Sequence, residues 1–115
     1  MADILIVEDN PDIALLYERV FRNYQTETVN SAENALELLR RNHYQLVVLD
    51  LHLPEISGME VLRQLRKSRH PTHILVISAD DTLKHEAVSL GIDYWMTKPI
   101  EIDELMFKAR ELLQK

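Results

Sequence analysis

Leu46-Val47-Val48-Leu49-Asp50 is the stretch on which the fold turns. Four consecutive apolar residues, two of them β-branched and with no apolar-polar alternation, describe a short strand covered on both faces. Such a strand belongs to a parallel sheet with helices above and below it. In open parallel sheets, functional groups collect at the carboxyl ends of the strands. Asp50 stands at that end, where a carboxylate is poorly solvated unless a cation or hydrogen-bond donors attend it.

Three other apolar runs end in chemically useful residues. Ile4-Leu5-Ile6-Val7 leads into Glu8-Asp9, Ile74-Leu75-Val76-Ile77 into Ser78, and Trp95-Met96-Thr97 into Lys98-Pro99. A more polar stretch within Thr26 to Asn30 supplies a fifth strand, expected at the sheet edge. Helical patterns separate the strands. The first starts at Asn10, an N-cap type, with Pro11 at the first helical position. Its apolar set Ile13, Leu16, Tyr17 and Val20 predicts the inward stripe and leaves Leu15 outside. Ser31 caps a second helix with Ala35, Leu36 and Leu39 inward, closed by Arg40-Arg41. Ser57-Gly58-Met59-Glu60 reads as a capping box for a third, with Val61, Leu62 and Leu65 inward and Arg66-Lys67-Ser68-Arg69 at its end. After the loop His70-Pro71-Thr72 and the fourth strand, Asp80-Asp81-Thr82 opens a short fourth helix. Its anchors are few (Leu83, Ala87, Val88, Leu90), and Gly91 ends it. The fifth helix, about Ile102 to Leu113, directs Ile102, Leu105, Ala109 and Leu112 inward and leaves Phe107 outside. Five strand-helix alternations make an α/β fold.

The 115 residues with 46% hydrophobic content suit one compact domain over residues 1–115. The absence of cysteine excludes disulfides and thiolate metal sites. No basic and apolar leader follows Met1 and no run spans a bilayer, so a cytoplasmic protein without membrane contact is expected. A formal charge of −6 argues against nucleic-acid binding, which needs clustered cations.

If the strands carrying them are neighbours, Glu8, Asp9, Asp50, Ser78 and Lys98 converge on one pocket. Crowded carboxylates raise one another's pKa unless a divalent cation neutralises them. An all-oxygen set without His or Cys favours Mg²⁺. An Asp beside that ion can attack a phosphoryl group in line, with the Ser78 hydroxyl and Lys98 ammonium on the other phosphoryl oxygens. Singly, each residue is ordinary: Glu8-Asp9 as a solvated strand end, Asp50 as a turn cap, Lys98 as a surface cation. Their order along the chain gives them weight.

The chain resembles a receiver domain of the two-component response regulators. Val7-Glu8-Asp9-Asn10 is similar to that family's acidic pair, and Asp50-Leu51-His52-Leu53-Pro54 with Gly58 to its phosphoacceptor segment. Ser78-Ala79 and Lys98-Pro99 are similar to its Ser/Thr-Ala and Lys-Pro steps. The resemblance implies a flavodoxin-like five-stranded sheet of order 2-1-3-4-5 with helices on both faces. It implies that Asp50 accepts phosphate from a phosphohistidine of a sensor histidine kinase or phosphotransfer protein. Mg²⁺ would lie on Asp9, Asp50 and the His52 backbone carbonyl, with Glu8 acting through water. It further implies a cis Lys98-Pro99 bond and a switch in which Ser78 and the aromatic three residues before the Lys, Trp95, move together. Trp95 stands where Tyr or Phe is more usual. The face formed by the fourth helix, fifth strand and fifth helix would carry the output to a downstream protein or a second copy, with Leu15 on a kinase-docking face. His52 and Asp80 flank the pocket mouth.

Three rival functions fit less well. A flavodoxin needs a hydroxyl- and Gly-rich phosphate loop where Glu8-Asp9 stands. An aspartyl phosphatase would carry an acid-base Asp where His52 stands. A phosphorylation-independent scaffold has no need of the complete acceptor set. The expectation is a signalling phosphoacceptor rather than a metabolic enzyme, standing alone or as the amino-terminal part of a longer regulator.

Overall fold

Each apolar run is a strand in the computed structural model, which describes residues 3–68 and 71–115. Among the described residues the chain alternates β1 (Ile4–Val7), α1 (Pro11–Val20), β2 (Thr26–Val29), α2 (Ala32–Arg41), β3 (Leu46–Asp50), α3 (Gly58–Lys67), β4 (His73–Ser78), α4 (Lys84–Ser89), β5 (Tyr94–Thr97) and α5 (Ile102–Leu113). Arg69 and His70, read as part of a closing cationic run and a loop, lie outside the described residues. All strand pairs are parallel and the order is β2-β1-β3-β4-β5. β2 is thus at an edge, as its polar sequence requires, because only one side of it is paired.

The unbroken apolar runs have a simple cause: alternate residues enter two different cores. Ile4, Ile6, Val48, Leu75 and Ile77 pack with Tyr17 and Phe21 around α1 and with Leu105, Ala109 and Leu112 of α5. Leu5, Val7, Val47, Leu49, Ile74 and Val76 pack on the opposite face with Ala32 and Ala35 of α2, Val61, Leu62 and Leu65 of α3, and Ala87 of α4.

The helix starts follow the capping residues. Asn10 Oδ1 accepts from the backbone N–H of Asp12 and Ile13, and Ser31 from that of Asn34. Ser57 accepts from the Met59 N–H. The return half of the expected capping box is replaced, since Glu60 engages Gln64 and Arg63 instead. Gly91 has φ of +90° just past α4, the left-handed geometry for which glycine is suited.

Helix α1 departs from its predicted stripe. Ala14 and Tyr17 are buried, followed by Phe21 at the cap, while Leu16 is 43% exposed beside Leu15 at 47%. The buried set still has helical spacing, but it is rotated to put a small Ala against the sheet. Val88 also departs from expectation, standing 53% exposed. α4 is short, with Ala87 as its buried residue.

Gly58 opens α3 hard against the Asp50-Leu51 backbone. A Cβ there would lie 2.6 Å from the Asp50 carbonyl oxygen and 2.8 Å from Leu51 Cα. Both are backbone atoms with no room to swing aside. Gly58→Ala is expected to cost about 2–3 kcal/mol, read as a lowered urea midpoint, and a variant as stable as the wild type would refute the packing argument.

Candidate functional site

The carboxyl ends of β1, β3, β4 and β5 meet at one edge of the sheet. Asp50, the last residue of β3, is only 3% exposed, and Glu8, just past β1, is 2% exposed. Ligand oxygens of Glu8, Asp9 and Asp50 lie within 4.8 Å of one another, with Asp9 exposed at the mouth. Lys98 Nζ reaches in from the end of β5 to 2.7 Å from Asp50 Oδ2 and 4.0 Å from Glu8 Oε1. The Lys98-Pro99 bond is cis.

Each buried carboxylate is fixed by a nearby N–H. Asp50 Oδ1 accepts from the His52 backbone N–H at 2.8 Å. Glu8 Oε2 accepts from the Asn10 N–H at 3.0 Å. The other Glu8 oxygen, Oε1, is buried without a hydrogen-bond partner among the described residues. Burial chiefly pushes the Glu8 pKa up to about 7, opposed by the Asn10 N–H, reinforced by Asp50 and moderated by Lys98. For Lys98, burial pulls the pKa down, but the hydrogen bond and charge of Asp50, then Glu8 and Asp9, outweigh it and leave a net rise. One ammonium therefore faces three carboxyl groups, which is too little positive charge for all of them to be ionised comfortably.

A divalent cation fits this set. The donors are all oxygen, two are buried, and one buried oxygen lacks a partner.

Ser78 ends β4 opposite Thr97 of β5 and is fully buried. Its hydroxyl is engaged by its own loop: it accepts from the Asp80 N–H at 3.0 Å and lies 3.4 Å from the Asp80 carbonyl oxygen. Trp95 is not part of the carboxylate pocket. It sits two residues earlier on β5, half-buried against the core beneath α3 and α4. His52 is exposed, and Asp80 caps the next turn through Thr82.

Two participants were hidden in the sequence. Asn10 reads as a helix cap, which it is, but its own N–H also holds Glu8. Tyr17 reads as core, yet its phenol pKa is raised by burial and then by the charges of Glu8 and Asp50, which places it behind the cluster. The start of α1 directly after Glu8-Asp9 was the available signal for both.

Comparison with known proteins agrees with this architecture. The family described as "Response regulator receiver domain" matches residues 4–110. Response regulator ArlR of Staphylococcus aureus is 33% identical over all of this chain, and the chain spans about half (54%) of ArlR. Among solved structures, the Francisella response regulator 1452 receiver domain aligns with a TM-score of 0.89 at 29% identity, covering 99% of this chain and 98% of that one. Response regulator protein TrrA from Thermotoga maritima, solved in complex with Mg(2+)-BeF, aligns with a TM-score of 0.86 at 32% identity, covering 97% and 99%. The order of its strands, the residues at their ends and a match over nearly its whole length mean that this chain belongs to the response regulator receiver domain family of two-component systems.

Proposed function

We propose that Asp50 is the phosphoacceptor of a phosphorylation-controlled switch. The observation that carries this reading is the buried Asp50 carboxylate held 2.7 Å from Lys98 Nζ beside two further carboxyl groups. An Asp50 oxygen attacks the phosphorus of a phosphohistidine, the new O–P bond forms as the P–N bond breaks, and the imidazole leaves with the electron pair. Lys98 pairs with Asp50 at rest and donates to a phosphoryl oxygen after transfer. Ser78 turns its hydroxyl from Asp80 to a second phosphoryl oxygen, which draws the loop after β4 with it. Asp9, Asp50 and the His52 backbone carbonyl, with Glu8 acting through water, would hold Mg²⁺, which would supply positive charge against the phosphoryl group.

The donor is a sensor histidine kinase or a histidine phosphotransfer protein, met in the cytoplasm. The response passes through the face of α4, β5 and α5 to a protein target or a second copy. Phe107, 64% exposed on α5, and Val88, 53% exposed on α4, are apolar residues of these elements available for contact. Self-phosphorylation and its reversal are the only catalysis involved. TrrA was solved with a metal and a beryllofluoride group, which supports the same ligand chemistry here.

Intact-protein mass after incubation with phosphoramidate tests this reading. With Mg²⁺ the protein is expected to gain one phosphoryl group, mapped to the peptide containing Asp50, and with excess EDTA to gain none. Failure to gain mass with metal present would favour a phosphorylation-independent binding module.

A further inference from the structure

We propose that Thr97 and Asp81 are positioning residues that latch Trp95 and the loop after β4 in the resting arrangement, and that phosphorylation opens this latch. The inference rests on Asp50 being the phosphoacceptor and names the residues that resist the switch. Trp95 Nε1–H donates to Thr97 Oγ1 at 3.0 Å. The Thr97 hydroxyl in turn donates to Asp81 Oδ1 at 2.9 Å. A hydroxyl has one proton and two lone pairs, so both bonds form together. The carboxylate end makes the second bond charge-assisted and polarises the first.

The placement of these residues gives the chain of bonds its purpose. Trp95 and Thr97 are two apart on β5 and share one face of the sheet, opposite Val76 and Ser78 of β4. Asp81 lies in the 3-10 turn Asp81–Leu83 that leads into α4, three residues beyond Ser78. That loop is consequently held at both ends: the Ser78 hydroxyl grips the backbone of Asp80, and the Asp81 side chain grips β5 through Thr97. When Ser78 turns to a phosphoryl oxygen, the Asp80 N–H loses its acceptor. A shift of the loop then withdraws Asp81 from Thr97. The indole, packed against the same core as Leu83 and Ala87, is left with an untethered partner and can reorient with α4.

Both bonds lie at the surface and neither is individually strong. A latch of this size biases the resting state without locking it, so one phosphoryl group can overcome it. The indole matters here because its edge carries an N–H, which a phenyl ring lacks.

The test follows Trp95, the chain's one tryptophan, in wild type, Thr97→Val, Thr97→Ser and Asp81→Ala, at rest and during titration with beryllofluoride in Mg²⁺. Thr97→Val keeps the β-branched shape that suits a strand and removes only the hydroxyl. In both Thr97→Val and Asp81→Ala the resting emission is expected to shift and acrylamide quenching to rise. Their beryllofluoride midpoint, read by thermal stabilisation, is expected to fall about threefold to tenfold. Thr97→Ser, which keeps the hydroxyl, is expected to match wild type in each readout. A wild type that responds while Thr97→Val matches it would overturn the latch alone, as would a Thr97→Ser variant behaving like Thr97→Val. A wild type that neither responds to beryllofluoride nor takes up phosphate would overturn the phosphoacceptor reading and the latch with it.

Discussion

Asp50→Asn is expected to take up no phosphoryl group under conditions that convert the wild type completely. The amide is close in shape and keeps an oxygen for the His52 N–H that Asp50 now binds at 2.8 Å. It is neutral, however, and a poor nucleophile towards phosphorus. Lys98 loses its nearest counter-charge, now 2.7 Å away, and Glu8 loses the neighbouring carboxylate that adds to burial in raising its pKa. The variant should nevertheless remain folded, because Lys98 is partly exposed and keeps Glu8, 4.0 Å away, as a counter-charge. Intact mass after phosphoramidate treatment reads the first expectation and a urea midpoint reads the second. An adduct on the Asn variant equal to that on wild type would reassign the acceptor, with Glu8 and Asp9 as the other carboxylates of the cluster.

The second large effect is on stability. Glu8 has a native pKa near 7 against an ordinary value of 4.5. As pH rises between these values, the unfolded chain releases the proton while the native chain keeps it. Native protein then holds more protons than unfolded protein, so stability falls with rising pH across this window. The loss is complete above the native pKa, and the gap corresponds to at most about 3 kcal/mol. In EDTA, urea unfolding of the wild type is accordingly expected to show lower stability at about pH 8 than at about pH 5. Glu8→Gln removes the titration and should show a smaller decline, which assigns the difference to Glu8. Millimolar Mg²⁺ should reduce the wild-type decline by favouring ionised Glu8. Equal pH dependence in wild type and Glu8→Gln would refute this account.

The sheet and the placement of the strand-end residues were legible because each rests on an unusual local signal. An uninterrupted apolar run such as Leu46 to Leu49 has few uses other than a strand buried on both faces. Boundaries followed caps whose chemistry is local, as at Asn10 and Ser31. What the sequence concealed depends on tertiary partners. Hydropathy favours Leu16 over Ala14, yet α1 buries Ala14, because a small residue fits where the helix lies close against the sheet. Tyr44 sits in a connection and looks like a loop residue, but it is 1% exposed and its hydroxyl donates to Glu27 of the edge strand at 2.6 Å. Ser78 stands at the end of β4, beside the strand that ends in Asp50, while the direction of its hydroxyl depends on the loop it holds. The three-residue link through Trp95, Thr97 and Asp81 joins a strand to a turn 14 to 16 positions away, and no periodicity encodes it.

The order β2-β1-β3-β4-β5 has a consequence for when this protein can first respond. Glu8, Asp50, Ser78 and Lys98 come from four strands, and at least one helix separates each from the next. No local segment contains both Asp50 and Lys98. Parallel neighbours meet only after long crossovers close, which is the slow, entropy-limited part of assembling such a sheet. During synthesis the acidic residues emerge first and Lys98 last. A chain whose final strand has not docked therefore lacks the ammonium that pairs with Asp50. On the proposed function, the pocket is complete only in molecules whose folding is finished.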